Sequence, residues 1–363
     1  MKRQRLLGVL VTLLAAVVLA PVGAQEAKRA MGLEDILAFR ALSTSSLSPD
    51  GAWLAYRMAP LQGDSEVFVR STSTDKEMSL PVGDGGGVMS YSDDSKWLAI
   101  TTALTRREAE AARRASRPVQ NSVTIVNLGT GDKTVVDKVR RYSFNGELGG
   151  WIALDRYPAT TAGGGAAADA GGGRGGRGGR GGGPAAPSST DTRPRGSDLI
   201  LQNLADGTQM NIGNVSEFAF NKSGKYLALV IDAADQAGNG IQIRDMSTGA
   251  VTSLETDKAF YERLSWTDEG DALSLLKGTN DTDYRERRYA VVGFTGFDAG
   301  APKKVVFDPT TDSSFPEGYS VSGNRAPQWT DARDALIFGI SELTKAERPA
   351  GGRGAAAAGE GGE

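Results

Sequence analysis

Apolar positions in this chain fall into short runs, each entered through a polar turn, and the same turn-and-run phrase returns six times. The copies are Ser48–Tyr56 (SPDGAWLAY), Ser92–Ile100 (SDDSKWLAI), a looser form from Asn145 through Trp151 to Leu154, Asn221–Leu229 (NKSGKYLAL), Thr267–Leu275 (TDEGDALSL) and Thr330–Phe338 (TDARDALIF). Pro49, Asp50 and Gly51 suit a tight turn, because Pro presets φ, Asp bonds to nearby backbone and Gly accepts the exit conformation. The bulky apolar residues that follow predict a buried or half-buried strand. A further short strand is predicted before each turn, such as 88–91 or 217–220, and two more after it, such as 66–70 and 77–80 in the first unit or 240–244 and 250–254 in the fourth. Each unit therefore reads as four strands.

Turn anchors set the period. Gly51 and Ser95 are 44 residues apart, and Gly224 and Gly270 are 46 apart. Four strands in about 40 to 45 residues make one blade of a β-propeller. Gly149 to Gly224 is 75 residues, but a Gly-rich insertion at about 158–196 accounts for the excess. The predicted fold is all-β: a β-propeller of about five complete four-stranded blades and a partial sixth, preceded by a signal peptide and a short helix. Expected boundaries are 1–24 for the signal peptide, 25–46 for a leader with a short amphipathic helix, 47–345 for the propeller and 346–363 for a low-complexity tail.

The N-terminus sets the compartment. Lys2, Arg3 and Arg5 precede the apolar run from Leu6 to Ala20, and Val22-Gly-Ala24 offers small residues for cleavage before Gln25. That is the pattern of a secretory signal, and its apolar run is short for a membrane span. Cleavage leaves 38 basic against 44 acidic residues, so no general attraction for nucleic acid is expected. A periplasmic or secreted protein is expected, with no membrane span once the signal is removed.

The chain has no cysteine and no histidine. Without imidazole a serine cannot be activated in the manner of a Ser-His-Asp triad, and without thiolate or imidazole the usual zinc ligands are missing. No catalytic, cofactor-binding or metal-ligating residue is expected here. Four segments invite a functional reading and lose it on spacing. The tract GGGRGGRGGRGGG, with Arg174, Arg177 and Arg180, resembles RNA-binding arginine-glycine segments, yet it holds no aromatic residue for stacking and falls between the second and third strands of a blade. Excursions at 103–121 and 278–286 occupy the same point of their units. Residues 105–116 read as a solvated helix on which Glu108 and Glu110 diverge, with Glu110 placed to pair with Arg114. Ser320 lies in GYSVS, which misses the nucleophile-elbow pattern and reads as a loop serine. Asp281 and Asp283 read as turn residues, since the glycine and distal glutamate of a calcium loop are missing.

Two adjacent stretches carry a family resemblance. Met31-Gly-Leu-Glu-Asp-Ile-Leu-Ala-Phe-Arg40, with Leu33, Ile36 and Leu37 on one helical face, runs directly into LSPDGAWLAY at 47–56. That order resembles the start of bacterial members of the prolyl oligopeptidase family of serine peptidases, near acylaminoacyl peptidase and dipeptidyl peptidase IV. The resemblance implies an N-terminal propeller ahead of an α/β-hydrolase domain bearing Ser, Asp and His, none of whose positions has a counterpart in these residues. It further implies a non-catalytic propeller that gates peptide substrate to that domain. On this reading the chain is the N-terminal part of a longer exported peptidase, ending inside a low-complexity insertion. The Ser-Pro-Asp-Gly turn is shared with the propeller of the Tol translocation system, so a periplasmic protein-binding module is the alternative.

Overall fold

The computed structural model describes residues 30–158 and 195–346. The expected signal peptide, nearly all of the Gly-rich insertion and the tail from 347 lie outside the described residues.

A short helix, α1 (Leu33–Ala38), leads into the first blade: β1 (Arg40–Leu47), β2 (Trp53–Pro60), β3 (Ser65–Ser71) and β4 (Glu77–Gly83). The second blade is β5 (Met89–Tyr91), β6 (Trp97–Thr102), β7 (Ser122–Asn127) and β8 (Lys133–Val136), with helix α2 (Arg106–Arg114) between β6 and β7. The third and fourth blades comprise β9 (Val139–Phe144), β10 (Trp151–Arg156), β11 (Ser197–Asn203), β12 (Gln209–Phe220), β13 (Tyr226–Ile231), β14 (Gly240–Asp245) and β15 (Val251–Thr256). The fifth blade is β16 (Phe260–Trp266), β17 (Ala272–Thr279), β18 (Arg288–Thr295) and β19 (Lys303–Phe307). Four short strands follow: β20 (Tyr319–Val321), β21 (Gln328–Trp329), β22 (Leu336–Ile337) and β23 (Ile340–Glu342).

Every pairing among these strands is antiparallel and each blade is an up-and-down meander, so the chain is a β-propeller of five four-stranded blades and part of a sixth. Two details depart from the expected strands. The third and fourth blades are joined by the single long β12, whose first half closes one blade and whose second half opens the next. The sixth unit is one hairpin broken into two ladders, β20 with β23 and β21 with β22, where continuous strands at 326–329 and 335–338 were expected. Residues 322–327 bulge between the two ladders, and Gly323 there lies against the Tyr289 ring. The first sheet also begins at Arg40, within the segment expected to be leader.

The six turns explain why the repeat is visible in sequence. In each, the anchor residue's N–H donates to the carbonyl of the residue at the start of the second strand (in the sixth unit Ala335, just before β22), and its side-chain oxygen accepts that residue's N–H in return. The side-chain acceptors are Ser48, Ser92, Asn145, Asn221, Thr267 and Thr330, at 2.8 to 3.3 Å. Only a short side chain with an acceptor oxygen closes this turn, which is why Ser, Asn and Thr alternate at one position. Successive turns also touch: Asp50 N–H donates to Ser95 Oγ, Glu147 N–H to the Lys222 carbonyl, Asn221 Nδ2 to the Gly270 carbonyl, and Arg333 pairs with Asp271.

Packing repeats with the same period. Five apolar clusters among the described residues lie between successive blades; one joins Ala55, Val67 and Val69 of the first blade to Leu98, Ile100 and Val126 of the second. Trp53, Trp97, Trp151 and Tyr226 each pack against one cluster, forming the expected layer. They are half-buried, because each stands at the turn end of its strand where one ring edge meets solvent. The fourth strands β8, β15 and β19 are largely exposed and form the rim. Leu33, Ile36 and Leu37 of α1 are exposed. No helix among the described residues is long and apolar enough to cross a membrane.

Candidate functional site

The end of the blades opposite the turns is where the units diverge, and it gathers the charged side chains buried in the fold. Its geometry starts from a backbone irregularity. In the first, third and fourth blades the ladder between first and second strands slips by one residue at the same step, leaving Ser43, Arg140 and Ser216 as extra residues on the first strand. The fifth blade slips between Glu262 and Ser265, and Arg263 there has φ of 64°. Such bulges bend a strand and re-aim its side chains.

The bulges connect one blade to the next. Arg141 Nη2 donates to the Ser216 carbonyl at 2.8 Å. Glu217 accepts the bulge N–H groups of Arg263 and Leu264 at 3.1 and 2.8 Å. Arg263 Nε in turn donates to the Gly323 carbonyl at 2.8 Å. First strands therefore lie beside one another along the middle of the array, and their bulged ends form a mouth rich in arginine and carboxylate.

Two buried carboxylates organise this mouth. Asp155, wholly buried, accepts from Arg140 Nη2 at 2.8 Å, Arg141 Nε at 2.6 Å and Ser197 Oγ at 2.8 Å. Glu262 accepts from Tyr289 OH at 2.7 Å and Arg195 Nη1 at 3.0 Å, and lies 3.5 Å from Arg287 Nη1. Arg195 also reaches Asp232, which Asn239 holds from its other side, and the Arg287 guanidinium lies 3.7 Å from the Phe260 ring centroid. Burial, reinforced by the negative charge of Glu262, pushes the Tyr289 hydroxyl's pKa up, so the phenol remains a donor. Burial opposes the charge on Arg195, but Glu262 and Asp232 outweigh it and raise its pKa. A buried carboxylate that is fully bonded and paired with arginine is tolerable; one left alone is costly.

The segments singled out in the sequence take other places. Glu108 closes a capping box with Thr105, and Glu110 pairs with Arg106 and Arg114, so the two carboxylates do diverge. Asp281 accepts from Asp283 N–H and Arg288 Nε, as a turn residue does. Ser320 is corrected from a loop to strand β20, where it is buried and pairs with Ser341; its Oγ accepts the Tyr289 N–H at 3.4 Å. Among the described residues no group of three or more metal-ligating side chains converges. The mouth itself was missed in the sequence. Its signal was a charge inside an apolar strand, as in Trp151-Ile-Ala-Leu-Asp155 and Phe260-Tyr-Glu262.

No protein-family model and no curated protein sequence matches the chain. Solved structures match the chain at low identity and low TM-score. The β-propeller domain of the trilobed protease from Pyrococcus furiosus is 8% identical, over 86% of this chain and 85% of that one, with a TM-score of 0.38. Acylaminoacyl peptidase from Pyrococcus horikoshii is 10% identical over 86% of this chain, with a TM-score of 0.37; the chain spans 47% of that protein's length. Hydrazine synthase from Kuenenia stuttgartiensis is 12% identical over 81% of this chain and 72% of its own, also at 0.37.

Proposed function

We propose that this chain is the substrate-gating propeller of an exported serine peptidase of the prolyl oligopeptidase family, with the Ser, Asp and His of catalysis on an α/β-hydrolase domain outside these 363 residues. The observation that carries the reading is the order at the start of the propeller: a leader helix passing directly into β1 and then into the Ser-Pro-Asp-Gly turn at 48–51. The chain's lack of histidine and cysteine supports it, since hydrolysis by a serine requires a base from elsewhere. The propeller's part is to limit which peptides reach the hydrolase and to form one wall of the substrate chamber.

The test compares the 363-residue protein with the product of the uninterrupted reading frame, using a fluorophosphonate probe and a chromogenic peptide. The short protein is expected to stay unlabelled and inactive, and the longer one to label and hydrolyse. Labelling of the short form at Ser320, or a full product with no labelling, overturns the reading and leaves a Tol-type binding propeller as the better account. N-terminal sequencing of the exported protein checks the compartment, with Gln25 expected as the first residue.

A further inference from the structure

We propose that Arg140 and Arg141 form a preorganised carboxylate-binding site at the mouth of the propeller, one that recognises a negatively charged group on a peptide. Consecutive residues of a strand point to opposite faces, so two neighbouring arginines do not ordinarily reach one partner. Here they do, because Arg140 is the extra residue of the bulge: Asp155 pairs with Arg141 and Arg156 with Val139, and Arg140 has no partner across the ladder. Both guanidiniums consequently meet the same oxygen, Oδ2 of Asp155.

The charge balance leaves one positive charge unspent. Asp155 neutralises one arginine, and its other oxygen is taken by Ser197. Glu217 on the adjacent first strand turns both oxygens to the backbone of Arg263 and Leu264. Asp155 is 0% exposed, whereas the arginine side chains are 38% and 45% exposed, so their free ends face solvent while their bonded ends are fixed. Among the described residues Nη1 of each arginine makes no further protein hydrogen bond. Arg141 is also held by the Ser216 carbonyl and by the Phe218 ring, 5.0 Å from its guanidinium carbon. Two guanidinium ends already ordered beside each other lose little freedom when a carboxylate binds, and they offer it charge-assisted hydrogen bonds. The corresponding positions on the second strand are Arg57 in the first blade and Val230 in the fourth, so this arrangement belongs to the third blade and not to the repeat.

That the ligand is a peptide rests on the peptidase reading; the anion site itself does not, and binding to the 363-residue protein is measured without any hydrolase activity. Calorimetric titration at low ionic strength uses three probes: acetyl-pentaglycine with a free C-terminal carboxylate, acetyl-Gly-Gly-Glu-Gly-Gly-amide, and acetyl-pentaglycine-amide. Binding of either carboxylate peptide without binding of the neutral one supports the site, and the one that binds tells a C-terminus from an acidic side chain. Arg140→Ala and Arg141→Ala should each weaken that binding at least about tenfold, and added salt should weaken it further. Arg114→Ala, on the α2 surface, should leave it unchanged. Arg140→Lys guards against misfolding: with the parent's melting temperature it should still bind markedly more weakly, because an ammonium cannot hold Asp155 and the peptide together. No preference for the carboxylate peptides, or parental affinity in Arg140→Lys and Arg141→Ala, overturns the proposal.

Discussion

The two ends of each blade obey different rules. At the turn end six units close with one hydrogen-bonding scheme, a short polar side chain accepting the N–H of the following strand. At the opposite end four of these units, the first, third, fourth and fifth, share a bulge in their first strands but differ in almost everything built on it: Ser43, Arg140, Ser216 and Arg263 occupy the bulges, and the link between second and third strands is four residues at 61–64 in the first blade but holds helix α2 in the second. The turn end repeats because each turn must seat against the next. The mouth varies because its blade-to-blade bonds are made by a different side chain each time, Arg141, Glu217 and Arg263.

If that division holds, the largest single loss should come where the variable end has taken on a structural duty. Glu262→Ala removes the carboxylate that accepts from Tyr289 and Arg195 and that lies 3.5 Å from the buried Arg287. Breaking one side of a buried ion pair costs about 3–5 kcal/mol. Urea unfolding should show a lower midpoint at constant m-value, the product of the shift and m giving that loss. A loss under about 1 kcal/mol would mean the cluster is solvated and belongs to the recognition surface.

A pair of glycines tests the turn end. Gly51 and Gly224 occupy equivalent turn positions with φ of 72° and 77°. A Cβ on Gly51 meets open space, whereas one on Gly224 would be built into the Asn145 carbonyl of the preceding turn. Gly51→Ala should therefore cost about 1–2 kcal/mol, the left-handed conformation alone. Gly224→Ala should cost about 2–4 kcal/mol, since the third and fourth turns must also separate. Equal losses would show that the turns close independently of one another.

Trp97→Ala ranks next, and it also shows what the sequence could and could not convey. The place of Trp97 between two blades was legible, because an aromatic residue stands five positions after three of the anchors, Ser48, Ser92 and Asn221. Its exposed edge was not, since solvent contact depends on how far the neighbouring turn reaches over it. A half-buried ring should cost about 2–3 kcal/mol, below the ~3–5 kcal/mol of a fully buried one. Likewise strand order followed from the period, but the bulge at Arg140 did not: a one-residue slip leaves no mark in a pattern of alternating residues until the partner strand is known. Nor did the sequence reveal that Ser320 sits in a strand, because the sixth unit's hairpin is interrupted by 322–327 and its apolar runs are too short to read.

The smallest expected effect concerns acid. Asp50 is held below the ordinary carboxylate value of 3.8, first by the Ser48 hydroxyl and then by the Ala52 N–H. For Asp94 burial works the other way, but the Ser92 hydroxyl, the Lys96 N–H and the Lys96 charge outweigh it, and its pKa is also lowered. A carboxylate whose pKa is depressed on folding stabilises the fold above its unfolded value, and that contribution disappears as pH falls through the folded value. The melting temperature should thus be insensitive to these groups above about pH 5 and decline below about pH 4. Asp94→Asn should make the decline shallower by a small amount, because it removes one group that must be protonated at a cost while Asp50 remains. The neutral-pH melting temperature of that variant should fall only slightly, since the amide oxygen can still accept from the Ser92 hydroxyl. A decline as steep as the parent's would move the acid sensitivity away from this turn.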